Sequence, residues 1–401
     1  MRILLLTNKI PYPPHDGGSI ATLTLAKALK NAGNHIHILS MNTSKHFYNT
    51  SDIPQDILKD LNLETVPVNT SISAKAILIN LMFKKIPYNA ERFINKDFDE
   101  ALIKLLSKFD FDIVQLEGLY VCPYIETIRK HSKALIALRA HNIEHEIWER
   151  TVVNEKAFLK RFYIKNLAKR IKNFETGFFN KYDLLIPITE RDGLKCKELG
   201  SKIPAHVVPT GIDSENYKVD NNSSNYPGLF HIGALDWIPN QEGLMWFLNK
   251  AWPLIHKEHP NLEFVIAGRN APDSFLAKIK QDGVKYVGEV DNAIDFMNQQ
   301  SIMIVPLLSG SGMRIKIIEG MALGKVIVTT SIGTEGIDTT HNQNVLISNT
   351  PDMFAHEIKR LINNKELFDF LSKNAVKFVN ENYNNKNIAD NLTRFYESQL
   401  G

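Results

Sequence analysis

Cysteine is almost absent from this chain of 401 residues: Cys122 and Cys196 are the two it has. They stand far apart and lack metal-ligand or redox spacing, which excludes a disulfide framework and a cysteine-held metal. Reduced thiols of a cytosolic protein are the expectation. Long apolar runs are missing too. No stretch approaches the ~18 apolar residues that a membrane-spanning helix needs, and the apolar start Met1–Thr7 is too short for a secretory signal. Nor is there an excess of charge: 47 Lys and Arg against 44 Asp and Glu leave a net +3, too little to imply a nucleic-acid partner. No G-x-G-x-x-G spacing, short-period repeat, low-complexity tract or His/Cys ligand cluster occurs, so neither a dinucleotide cofactor nor a metal is expected. The expected place is the cytoplasm, with contact at most to the inner face of a membrane.

What is present is a globular composition, 44% hydrophobic and 23% charged, on a chain long enough for two domains with separate cores. Short apolar runs alternate with longer helical patterns. The expected strands are 2–7, 35–40, 64–68, 113–116, 134–138, 184–188 and 206–209, then 228–232, 262–267, 285–287, 302–306, 326–330 and 345–347. Such runs alternating with helices imply parallel sheets covered on both faces. A helix is expected from about Gly17-Gly18 with Gly33 as its stop, and another over 387–400. The polar run 213–227, with Asp220-Asn221-Asn222-Ser223-Ser224-Asn225 inside it, reads as a linker. The expected fold is α/β: two Rossmann-like domains, 1–212 and 228–385, facing across a cleft, because ligands of open α/β sheets sit at the carboxyl ends of strands.

The densest chemistry lies in the run from Ser309 to Glu319, where a small-residue turn joins an apolar strand to a periodic helix. A helix N-terminus entered through Gly310, Ser311, Gly312 and Met313 offers backbone N–H groups and a dipole to an anion. Arg314 and Lys316 add cations suited to a pyrophosphate, and Glu319 a carboxylate suited to sugar hydroxyls. Lys316 and Glu319 share a face at i, i+3, so a surface helix with a local salt bridge is the plainer alternative. Gly17 and Gly18 allow close backbone approach to a ligand; a glycine-capped loop is the alternative. His141 follows strand 134–138, with Asn142 and Glu144 alongside, and can hydrogen-bond a sugar or share a proton. The alternative is a satisfied loop histidine. Glu117 ends another strand as a candidate acceptor contact, although a structural role fits it better. In the loop 233–240, Asn240 is expected to cap the next helix. Arg269 and Val290 follow the next two strands, where backbone groups can take a nucleobase edge.

Two segments are basic and amphipathic. Residues 72–86 set Ile72, Ile77, Ile79, Leu81, Met82 and Phe83 beside Lys75, Lys84 and Lys85. Residues 156–172 set Phe158, Phe162 and Tyr163 among seven Lys and Arg. Helices of this kind lie on anionic lipid; a solvated face over a domain core is the plainer reading.

These residues together resemble the GT-B glycosyltransferases, specifically the retaining glycosyltransferase family 4 group. The resemblance rests on the Pro-rich loop ending in Gly17-Gly18, the His141-Asn142 strand end, Val208-Pro209-Thr210-Gly211-Ile212-Asp213, and the Arg314-x-Lys316-x-x-Glu319 run. It implies a nucleotide-diphosphate sugar held mainly by the second domain, and a saccharide or lipid-linked acceptor mainly on the first. It also implies a last helix, within 386–401, that crosses back to the first domain. Carried over residue by residue, His141, Arg314 and Lys316 become catalytic. Gly17, Gly18, Gly310, Ser311, Gly312, Met313, Arg269, Val290 and Glu319 become donor contacts, and Glu117 and Asn142 acceptor contacts. Glu319 matches the second glutamate of the family's pair and is assigned the ribose hydroxyls; Ser311 stands where the first normally binds the donor sugar. The family's usual Arg and Lys are missing from 234–240, and Arg314 and Lys316 take over their charge. The implied reaction is glycosyl transfer with retention, without cofactor or metal, in polysaccharide or glycolipid synthesis. Two rivals stand beside it. An epimerase of the same fold needs paired carboxylates, for which Glu117 and Asp16 are the nominees. A non-catalytic subunit of a polysaccharide-assembly complex needs none.

Overall fold

In the computed structural model, which describes residues 1–14, 16–155, 157–219, 225–310 and 312–401, all but one of the short apolar runs become parallel strands. Ser311 and residues 220–224 of the expected linker lie outside the described residues. The first sheet comprises β1 (Arg2–Thr7), β2 (His35–Thr43), β3 (Leu63–Val68), β4 (Ile113–Glu117), β5 (Leu135–Ala140) and β6 (Leu184–Pro187), ordered β3-β2-β1-β4-β5-β6. The second comprises β7 (Leu229–Ile232), β8 (Phe264–Ala267), β9 (Val284–Gly288), β10 (Ile302–Val305), β11 (Val326–Thr329) and β12 (Leu346–Ile347), ordered β12-β11-β10-β7-β8-β9.

The central runs Ile3–Leu6 and Ile302–Val305 are apolar at every position because successive side chains point to opposite faces and both faces are covered. In β1, Leu4 and Leu6 enter one core cluster and Ile3 and Leu5 the other. In β10, Ile302 and Ile304 are divided from Met303 and Val305 in the same way. The exception is 206–209. His206 N–H donates to the Leu185 carbonyl (3.0 Å) and Val208 N–H to that of Pro187 (2.9 Å), but Pro204 and Pro209 supply no donors, and a single bridge forms at Ala205.

The chain divides into two compact units. The first holds Met1–Gly211 and the returning segment Asn385–Gly401; the second is Ile212–Asn384. The described part of the polar run 213–227 therefore belongs to the second unit. It is anchored there by Tyr217, which packs on that unit's core and donates its hydroxyl to Glu319 (2.9 Å). The last helix, Asn385–Leu400, inserts Ile388, Ala389, Leu392 and Tyr396 into the first unit's core. Each large apolar side chain so buried contributes ~1.5–3 kcal/mol. Helix Gly17–Asn31 opens at Asp16, whose carboxylate accepts from Ser19 N–H (3.0 Å), and closes before Gly33 at φ +88°. Among the described residues, no helix is long and apolar enough to cross a membrane.

In doubly wound sheets the ligand crevice lies where strand order reverses, beyond the carboxyl ends. The first sheet reverses between β1 and β4, the second between β7 and β10. The loops singled out in the sequence follow these four strands, or the neighbouring β5, β8 and β9.

Candidate functional site

At the β1/β4 reversal a cavity of about 420 Å³ opens, lined among others by Lys9, Gly18, Glu117, His141, Asn142 and Glu144. Glu117 is its buried hub. One carboxylate oxygen accepts from Thr22 Oγ1 (2.8 Å), His141 Nε2 (2.8 Å) and Arg139 Nη1 (3.4 Å); the other accepts from Gln115. Burial opposes its ionisation, but the Arg139 guanidinium and the His141 hydrogen bond outweigh this and hold the carboxyl down at about 2. The carboxylate thereby fixes the tautomer and aim of His141, whose ring borders the cavity. Behind it, Tyr396 of the last helix donates to Gln115 Oε1 (2.6 Å). With so many internal partners, Glu117 serves as a holder of His141 more than as an acceptor contact.

Gly17 starts the helix between Asp16 and Gly18, which line the cavity. A Cβ there meets nothing within 4 Å and its φ is not positive. Neither packing nor conformation of the chain demands glycine, and the open space suits a ligand. Lys9 pairs with Asp16 (2.6 Å) next to Gly18.

The opposite wall was not read from the sequence. Phe93 and Tyr120 stack at 5.3 Å with planes 24° apart, both facing the cavity, and aromatic faces of this kind bind the C–H faces of sugars. The Tyr120 hydroxyl donates to Glu144 (3.1 Å), and Glu175 takes the Glu144 N–H (2.9 Å). Burial, reinforced by the Glu175 charge, outweighs the Tyr120 hydrogen bond and pushes the Glu144 carboxyl up to about 7.

In the second unit the β10 loop turns through Gly310 (φ +117°) and Gly312 (φ +82°) into helix Ile315–Ala322. Glycine is required at Gly310: a Cβ falls 2.8 Å from Arg314 Nη2 and 3.1 Å from the Trp237 ring. Arg314 precedes the helix instead of lying in its first turn, and its guanidinium stacks 5.4 Å from Trp237, in the loop after β7. Met313 packs at the core's edge. Lys316 turns toward the β7 end and donates to the Ile232 carbonyl and to Asn240 Oδ1, both at 3.2 Å. Burial, then the Arg314 charge, pushes this ammonium down to about 7. Under the same loop His231 donates Nδ1–H to the Ile304 carbonyl (2.8 Å), and burial with the Lys316 charge keeps it neutral.

Several expectations change in the light of this geometry. Lys316 and Glu319 share a helix face but do not pair: Glu319 accepts from Tyr217, and burial raises its carboxyl. Asn240 lies inside helix Ile238–Trp246, where it donates to Ala234 O (2.8 Å) and accepts from Lys316, so it is no cap. Arg269 is exposed; only its carbonyl engages the β7 loop, accepting from Leu235 N–H (2.9 Å). Val290 borders a different hollow, of about 500 Å³, with Val265, Val287 and Phe296. Asp16 and Glu117, the epimerase nominees, are both committed to cations, and Lys9 holds Asp16 below its usual range against the effect of burial. The sequence holds two Asp-x-Asp pairs, 97/99 and 110/112, that the metal-free expectation passed over, and neither lines the β1/β4 cavity. Asp99 accepts from Thr127, and Asp112, just before β4, from the Arg2 N–H. Arg139 and Gln115, missed earlier, carried a signal: each is a polar residue inside a fully apolar strand run.

Residues 226–364 match the family model described as glycosyl transferases group 1. Over 400 residues, 98% of each chain, the sequence is 24% identical to an uncharacterized 44.6 kDa protein in the cps region of Klebsiella pneumoniae. It is 25% identical over 332 residues, 80% of this chain and 71% of the other, to the uncharacterized glycosyltransferase MJ1069 of Methanocaldococcus jannaschii. The solved structure of Anabaena HepE in complex with UDP and glucose shares the fold, with TM-score 0.63 at 11% identity, covering 98% of this chain and 99% of that one. Two parallel six-stranded sheets with reversals between β1 and β4 and between β7 and β10 give the chain the GT-B fold, and with a glycosyl transferases group 1 domain over residues 226–364 it is a glycosyltransferase.

Proposed function

We propose that this glycosyltransferase moves a sugar from a nucleotide-diphosphate sugar to a hydroxyl of a saccharide acceptor, free or lipid-linked. We place it in cell-surface polysaccharide or glycolipid synthesis, on the cytoplasmic side of a membrane. One observation carries the donor assignment. Among the described residues, the Lys316 ammonium donates to the Ile232 carbonyl and the Asn240 side-chain amide oxygen and pairs with no carboxylate, and it shares the β7/β10 reversal with the Arg314 guanidinium. Two neighbouring cations at a strand-order reversal, the ammonium's pKa lowered by burial and by the guanidinium beside it, suit a diphosphate. The same pair stabilises charge growing on the diphosphate as the anomeric C–O bond breaks. Glu319 takes the ribose hydroxyls, displacing the Tyr217 hydroxyl.

The acceptor reading rests on the cavity of the first unit. Phe93 and Tyr120 give a stacking face, Asn142 and Glu144 give hydrogen bonds, and His141, aimed by Glu117, steadies positive charge on the sugar. The transfer is read as retaining and metal-independent, with no cofactor; Arg314 and Lys316 supply the charge that a metal supplies elsewhere. UDP and glucose in the HepE structure, and the cps-region setting of the Klebsiella relative, make UDP-glucose the first donor to test. A panel of nucleotide sugars in thermal-shift assays should raise the melting temperature for the true donor. Turnover with that donor should survive excess chelator, and NMR of the product should show the donor's anomeric configuration kept. Magnesium-restored activity after chelation overturns the metal-free reading, and no response to any nucleotide sugar overturns the donor site.

A further inference from the structure

We propose that the first unit docks on anionic lipid bilayers through helices Ala74–Phe83 and Phe158–Phe178. The surface rests on the membrane reading above and is independent of the transfer chemistry. Charge singles it out. Residues 72–86 carry Lys75, Lys84 and Lys85, residues 157–172 carry six further Lys and Arg, and neither stretch has an Asp or Glu. These 9 cations, taken from 47, leave 38 against 44 acids elsewhere, so the rest of the chain is −6 against +9 here, of which Lys84 pairs with Glu91 and Lys160 with Glu155.

Apolar exposure coincides with the charge. Ile72 is 71% exposed, Phe83 78%, Phe158 81% and Phe162 70%, with Met82 and Leu81 also open to solvent. The two helices are clamped together. Arg170 Nη2 donates to the carbonyls of Lys84 (2.6 Å) and Ile86 (2.9 Å), and Asn80 Nδ2 donates to Ile86 O (2.9 Å). On the longer helix, Phe158, Phe162, Lys165 and Lys169 form one exposed stripe at i, i+4, i+7 and i+11, opposite the buried Ile164, Leu167, Ala168 and Ile171. Aromatic rings at one end of a stripe with ammonium groups along it match the acyl and phosphate layers of a bilayer surface. Like charge disfavours a second copy of this face as the occupant, and an acidic lipid surface answers both the charge and the apolar groups.

The full chain is sedimented with vesicles of phosphatidylcholine and with vesicles of phosphatidylcholine mixed with phosphatidylglycerol. Binding to the mixed vesicles should be stronger by about tenfold or more and should fall as salt rises. Lys165→Gln with Lys169→Gln should weaken it about 30-fold, and Phe83→Ser with Phe162→Ser should remove what survives at high salt. All four side chains are solvent-facing, so circular dichroism should show unchanged folding. Equal binding to both vesicle types, or none, overturns the proposal. So does a concentration-dependent dimer that Phe83→Ser with Phe162→Ser dissolves, which gives the face to a second copy. Nucleotide binding by the same preparation separates failure of this surface from failure of the transferase reading.

Discussion

Nucleotide binding should draw a proton onto Lys316. Its ammonium is pushed down to about 7 by burial and by Arg314. At pH 8 such a group holds roughly 0.1 of a proton, whereas beside a diphosphate its pKa returns toward ~10, so binding takes up roughly 0.9 of a proton. The β-phosphate of UDP, with a second pKa near ~6, is already ionised there and contributes little. The same linkage makes the association constant fall about 50-fold between pH ~7 and ~9. Calorimetric titration with UDP, or with GDP if UDP gives no heat, in phosphate and in Tris at pH 8 reads the uptake from the buffer dependence of the heat. Lys316→Met should abolish the uptake and flatten the pH profile. In the ligand-free chain the sign reverses. The unfolded lysine, near ~10.4, holds the proton that the folded one has released, so stability should rise with pH from about 7 toward ~10. Buffer-independent heats with a flat affinity from pH ~7 to ~9 would refute the placement of the diphosphate on this ammonium.

Glu117→Gln strands Arg139 without a counter-charge in the core and should cost about 3–5 kcal/mol in denaturant unfolding; a loss within error sinks the network. Because Glu117 is held at about 2 when folded, its contribution is complete above ~4.3 and fades as pH falls toward about 2, an acid limb that the glutamine variant should lack. Glu319→Ala should weaken nucleotide binding by about 10- to 100-fold, the worth of one hydrogen bond to a charged group, and unchanged calorimetry removes it from the ribose. Phe93→Leu should raise acceptor KM by about 2- to 10-fold with donor Kd unchanged; a shift in donor Kd instead contradicts the acceptor assignment. Leu392→Ala, in the returning helix, should cost ~2–5 kcal/mol in the transition of the first unit alone, and an effect on the second unit's transition contradicts the division of cores.

The sheets were legible because burial on both faces forces an unbroken apolar code, as in Ile3-Leu4-Leu5-Leu6. His141 and the Ser309–Glu319 run were legible because strand ends are where sequence pattern and ligand rule coincide. The partners were not. Lys316 and Glu319 share a helical face by spacing, yet the long lysine reaches to β7 and the glutamate meets Tyr217, 102 residues away in sequence. Asn240 reads as a cap from composition, but its side chain folds back on its own loop. Trp237 and Tyr217 sit in segments without periodicity, so nothing local ties them to Arg314 or Glu319. Gln115 and Arg139 were visible as polar intruders in apolar runs, and the network built on them needed the fold to be seen.

The hydroxyl of Tyr396 meets Gln115 across 281 residues of chain. A ribosome therefore completes the whole of Ile212–Asn384, an uninterrupted segment, before the helix that seals the earlier unit has emerged. Until then the core that Ile3, Leu5 and Ile38 share with helix Gly17–Asn31 lacks Ile388, Ala389, Leu392 and Tyr396. A nascent chain stalled or truncated before Asn385 holds a finished second unit and an unsealed first, a state for chaperones to shelter.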